Sequence, residues 1–205
     1  MKIHELIKSD TKKNISKAIK LVKAEGTKDY DELLFDVLQT TLSNKQRWDI
    51  SSELIQLLGE HRYSPLEPIV EQICSENLMH DLITSKAAIA LCQLRAVDGS
   101  DVTEVKRLLT FGNFSVISGA LDFLGIEKII PTESEQDFLI DSVAQLSFEE
   151  VPGRSDIRLG LALACAGWDK RPNVVDFLLT CVESKSSYLR DIATKSLNNK
   201  YRAYS

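Results

Sequence analysis

The 205-residue chain lacks any apolar run approaching the 20 or so residues of a membrane span, so no transmembrane segment is expected. No apolar signal region follows Met1-Lys2-Ile3-His4-Glu5, and a cytoplasmic protein without a cleaved leader is expected. Histidine is scarce: His4, His61 and His80 stand far apart, and none has a second ligand at the short helical spacing of a metal motif. The four cysteines, Cys74, Cys92, Cys165 and Cys181, lack the paired short spacings of a zinc site. Each lies in an apolar helical pattern, which makes buried, reduced thiols the expectation. No serine, cysteine or threonine sits in a nucleophile elbow. Gly112-Asn113-Phe114-Ser115 and Ser118-Gly119 miss the Gly-Lys-Ser/Thr ending of a phosphate loop. No metal, cofactor or catalytic residue is therefore assigned, and a non-enzymatic role is expected. Strand alternation bounded by turns is missing too.

Helical spacing takes its place. Ile15, Ala18, Ile19 and Val22 follow an i, i+3, i+4, i+7 pattern, as do Leu34, Val37, Leu38 and Thr41, and Leu54, Leu57, Leu58 and His61. Pro65, Pro68, Pro131, Pro152 and Pro172 stand where helices begin or loops run, and Pro65 and Pro172 each open an apolar segment. The pattern predicts helices over 14–24, 29–43, 46–60, 65–77, 81–97, 102–111, 114–127, 134–146, 155–167, 173–183 and 187–200. Trp48 and Trp168 are expected to pack between them. Short loops make sequence neighbours antiparallel, and residues 1–205 read as a single all-α domain.

Alternate helices share a signature: a small or apolar residue, then two core residues three and four positions later. The instances are Ala18/Leu21/Val22, Leu54/Leu57/Leu58, Ala87/Ala90/Leu91, Ala120/Phe123/Leu124, Leu159/Ala162/Leu163 and Ala193/Ser196/Leu197. Their middle members are 36, 33, 33, 39 and 34 residues apart, a period holding two helices. One such pair cannot bury its apolar face alone, whereas a stack of pairs makes a continuous core. The segment Arg190-Asp191-Ile192-Ala193-Thr194-Lys195-Ser196-Leu197 resembles the first helix of a HEAT-type repeat, and Ser85-Lys86-Ala87-Ala88-Ile89-Ala90-Leu91 is a second instance; the other four are degenerate. The resemblance implies an alpha-alpha superhelix, or solenoid, of about six helix pairs, with the second helix of each pair lining a concave surface.

Charge divides by helix class. Windows 29–42, 65–76, 101–111, 133–146 and 172–183, the second helices, hold 15 acids and two bases, a net −13. The rest of the chain carries +8, and together they give the net −5. Acids at helix starts, such as Asp29, Asp31, Glu67, Asp101, Glu133 and Glu135, serve capping and the helix dipole. That leaves like-charged i,i+4 pairs, Glu32/Asp36, Glu67/Glu71 and Asp137/Asp141, whose own windows contain no base. Each should cost a few tenths of a kcal/mol. With Asp176 they define an acidic face for a basic protein partner, and their reversal to lysine is expected to leave the fold intact.

The N-terminus has the opposite bias. Lys8, Lys12, Lys13, Lys17, Lys20, Lys23 and Lys28 are basic, with Lys13, Lys17 and Lys20 on one helical face. A solvated face on a terminal repeat is expected. No aromatics or arginines interleave these lysines, so nucleic acid is not expected as a partner.

A compact acidic binder of this size resembles an immunity protein of a bacterial toxin–immunity system. The resemblance implies a basic toxin partner, such as a nuclease domain whose cleft an acidic face would block by standing in for phosphates. An adaptor or assembly scaffold would use the same face. A HEAT-like DNA glycosylase or lyase is the enzymatic alternative, although a DNA-acting member should line its groove with bases, where this chain has acids.

Overall fold

The structure, a computed structural model, describes residues 3–146 and 156–201. Pro152 and the first residue of the helix expected over 155–167 lie outside the described residues. Within them the chain is all-helical, with no strand. In chain order the helices are α1 (Ile3–Lys8), α2 (Lys12–Glu25), α3 (Asp31–Leu42), α4 (Trp48–Glu60), α5 (Glu67–Glu76) and α6 (Leu82–Arg95). They continue as α7 (Thr103–Phe111), α8 (Phe114–Ile126), α9 (Glu133–Ala144), α10 (Leu159–Ala164), α11 (Pro172–Val182) and α12 (Ser187–Leu197).

Local chemistry sets many of the boundaries. Thr11, Asp81, Asn113 and Ser186 cap α2, α6, α8 and α12 by accepting backbone N–H bonds that the helix cannot satisfy itself. Thr132 and Glu135 form a reciprocal capping box on α9. Gly26 ends α2 in the left-handed region at φ 63°, and Asn77 ends α5 at φ 53°.

Three expectations about the helices change. The first helix expected, 14–24, is preceded by α1, whose Ile3, Leu6 and Ile7 are buried at i, i+3, i+4 spacing; the lysines after it hid that short stripe. The helix expected from Pro65 opens as a 3₁₀ turn over Ser64–Leu66, and α5 proper starts at Glu67. The end of the helix expected over 155–167 tightens to 3₁₀ at Cys165–Gly167.

Helices α2, α4, α6, α8, α10 and α12 pack each against the next. Helices α3, α5, α7 and α11 lie on α4, α6, α8 and α12, while α9 leans on α11. Small residues bring the first row close. A Cβ on Gly59 would lie 2.7 Å from Ala90 Cβ, one on Gly119 would run into the Ser85 carbonyl, and one on Gly160 into the backbone of Leu121 and Asp122. The apolar stripes of both rows form one buried cluster that takes in all four cysteines.

Side chains about one sequence period apart touch. Arg47 reaches Asp10 across 37 residues, Arg62 the Ala96 carbonyl across 34, Gln93 Glu127 across 34, and Asp81 N–H the Ser115 hydroxyl across 34. Trp168 is buried and donates its indole N–H to the Ile129 carbonyl 39 residues earlier, at 2.9 Å. Trp48, expected to pack between helices, is 51% exposed at the start of α4.

Candidate binding surface

The acids of α3, α5, α7, α9 and α11 fall into two environments. The first lies between helices. Glu67 and Glu71 of α5 are half-buried, and Arg95 from the last turn of α6 meets them at 2.8 and 2.7 Å. Arg107 of α7 reaches Glu71 at 3.1 Å, and Glu104, 9% exposed, binds both arginines at 3.2 and 2.6 Å. Lys106 of α7 meets Glu135 of α9 at 2.8 Å. Arg171, just before α11, meets Asp137 of α9 at 2.9 Å and is joined there by Asn173. These pairs clasp α5 to α7, α7 to α9, and α9 to α11. The hydrogen bond from Arg171 holds the Asp137 carboxyl below its usual range, and that from Lys106 does the same for Glu135.

The expected repulsion in Glu67/Glu71 and Asp137/Asp141 is therefore relieved. Bases come from outside the acids' own helices, where inspection of each window could not find them. A signal was available: Arg171 follows Asp137 by 34 residues and Arg107 follows Glu71 by 36, opposite charges one period apart.

The second environment is solvent. Glu32 and Asp36 of α3, Asp141 of α9 and Asp176 of α11 are exposed and make no ion pair among the described residues. Of the seven residues expected on the acidic face, these four point outward, and Glu67, Glu71 and Asp137 are clasps. The outward acids sit at the two ends of the row, α3 at one and α9 with α11 at the other.

No family model matches this chain, and no curated protein or solved structure matches it. The reading of the surface thus rests on its own chemistry. Among the described residues, no group of three or more His, Cys, Asp or Glu is arranged to hold a metal ion, and no helix is long and apolar enough to cross a membrane. All four cysteines are buried and free; burial pushes the Cys74 and Cys181 thiols up to about 12 and raises Cys92 and Cys165 as well.

Two features went unseen in the sequence. His61, at the end of α4, places Nδ1 2.6 Å from Asp31 Oδ1, so Asp31 is buried in a pair and is no part of the open acidic face. Large apolar side chains are exposed on the second-row helices: Phe111 at 41%, Phe138 at 44% and Leu179 at 49%. At the other pole, Lys13, Lys17 and Lys20 are exposed along α2, whereas Lys12 and Lys23 are paired with Asp49 and Glu60 of α4.

Proposed function

We propose that the chain is a non-enzymatic protein-binding module, built as a HEAT-like α-solenoid of about six helix pairs. In this reading it is a cytoplasmic immunity protein that binds and neutralises a basic, nuclease-type toxin domain. The solenoid is supported by contacts that recur at separations of 34 to 39 residues and by the consecutive packing of the first-row helices.

The observation that carries the partner is the set of outward carboxylates, Glu32, Asp36, Asp141 and Asp176, left without ion pairs while the row's bases are consumed as clasps. With helix spacings of roughly 8–10 Å, α3 and α11 are about 30–40 Å apart. That is several times the Debye length of about 8 Å at physiological salt, so the two ends act as separate charges, and a partner touching both must present two basic regions that far apart. A nuclease cleft that binds phosphates offers such spaced positive charge. The DNA-glycosylase alternative would need bases where these acids stand.

The test is inhibition of a toxin nuclease domain encoded beside the chain. One equivalent of the chain should abolish its cleavage of nucleic acid, with weaker inhibition as salt rises. An unaffected nuclease would reject the immunity role. Tight binding of two other proteins at once would instead favour an adaptor scaffold using the same face.

A further inference from the structure

Resting on that reading of the acidic face, we infer that its α9–α11 end is the anchoring half, and that it takes an amphipathic segment presenting lysine or arginine around a large apolar side chain. Phe138 and Asp141 lie three residues apart on α9, and so do Asp176 and Leu179 on α11, which puts each pair on one helix face. The two helices are held side by side where Asp137 meets Arg171 and Asn173. Phe138 and Leu179 are 44% and 49% exposed. A single exposed apolar side chain is ordinary, but here two stand on clasped neighbouring helices among unpaired carboxylates.

Glu183, exposed just past the end of α11, is followed by exposed Lys185 and by Arg190, which binds the Ser184 and Lys185 carbonyls, so it adds no net negative charge to Asp141 and Asp176. On the α7 side of Phe138 the base is neutralised: Lys106 binds Glu135 at 2.8 Å and sits 5.7 Å from the Phe138 ring centroid. The paired helices thus present two exposed apolar side chains and two exposed carboxylates without ion pairs among the described residues. A purely basic segment would leave Phe138 and Leu179 in water, and a purely apolar one would desolvate the two carboxylates without compensation. A segment carrying both characters satisfies both. At the α3 end, Glu32 and Asp36 have no exposed large apolar neighbour on their helix, so that end steers and the α9–α11 end holds.

The probe is a stapled helical peptide of leucine and lysine, titrated calorimetrically into the full chain beside a lysine–serine peptide of equal charge. The leucine–lysine peptide should bind at least tenfold more tightly. Phe138→Ser with Leu179→Ser should remove that advantage, and circular dichroism should show the helices intact. Asp141→Asn with Asp176→Asn should weaken both peptides and flatten their salt dependence. Glu32→Gln with Asp36→Asn should change affinity less than twofold. Failure of the leucine–lysine peptide to bind, equal binding of the two peptides, or an unchanged serine double variant overturns the anchor. Loss confined to the α3 variant overturns it too, while leaving the acidic-face reading standing. If no acid substitution changes binding, the acidic-face reading itself falls.

Discussion

Gly59→Ala sets helix propensity against packing, and the two effects have opposite signs. In a solvent-facing helix position the change would stabilise by about 1 kcal/mol, because glycine is that much poorer than alanine as a helix former. Gly59 is buried in the last turn of α4, and its new Cβ would lie 2.7 Å from Ala90 Cβ and 2.9 Å from Ala90 Cα on α6. Carbon atoms settle at about 3.5–4.0 Å, so α4 and α6 would have to part by roughly 1 Å. Ala90 has no flexible end to move, and the seam continues through Gly119 and Gly160. Overpacking of this kind costs about 1–3 kcal/mol, which offsets the propensity gain and leaves a net loss of up to about 2 kcal/mol. Urea unfolding followed by circular dichroism measures it. Adding Ala90→Gly removes one of the close contacts and leaves Ala90 Cα at 2.9 Å and Gln93 Oε1 at 2.7 Å, so the double-mutant cycle should show partial coupling of about 0.5–1 kcal/mol. A Gly59→Ala variant stabilised by the full propensity gain of about 1 kcal/mol would refute the close α4–α6 seam.

Other expectations concern charge and thiols. Burial pushes the Asp122 carboxyl up to about 7, with Lys86 the nearby charge opposing the rise. The folded state therefore holds this proton more tightly than the unfolded chain, whose value is 3.8. This contribution is complete below about pH 4 and lost as pH rises to 7, by at most about 4 kcal/mol at 1.4 kcal/mol per unit, and less where solvent screens it. Melting at pH 5 and pH 8 should show a smaller fall for Asp122→Asn than for the parent; parallel falls would contradict the burial. Arg107→Ala leaves Arg95 alone to hold Glu67, Glu71 and the buried Glu104, and should cost about 0.5–1.5 kcal/mol in urea unfolding; a neutral result would mean the clasp is idle. For the same reason Glu67→Lys with Glu71→Lys should lower the melting temperature, since it sets lysines against Arg95 and Arg107. Native thiols should resist Ellman's reagent at pH 8 and react fully in urea, given buried side chains and values near 12 for Cys74 and Cys181; fast native labelling would contradict their burial.

The helices were legible because each buries a stripe at 3.6-residue spacing, and the period because small-x-x-apolar-apolar recurs where first-row helices meet. Ala90 and Gly59 illustrate this, one in the recurring signature and both at the seam. Helix α1 was hidden because six residues make too short a stripe beside a run of lysines. The acidic face was legible only as a sum. Counting Glu32, Glu71 and Asp137 alike ignored that long side chains on one helix reach bases on the next, and only the fold puts Arg95 and Arg171 within reach. Exposure of Phe138 and Leu179 was equally hidden, since an apolar residue on a helix reads as core until its partner helix is placed.

In the proposed function, outward carboxylates, and no clasped ones, recruit a basic partner. The deciding measurement is the association rate of a basic nuclease-type toxin domain across ionic strength, for the parent and for Glu32→Gln/Asp36→Asn/Asp141→Asn/Asp176→Asn. Electrostatic steering contributes about 10–1000-fold to such rates. At low salt the quadruple variant should associate at least tenfold more slowly, with a nearly flat salt dependence and an unchanged melting temperature. The parent's rate and salt dependence persisting in the variant, with the fold intact, would contradict it.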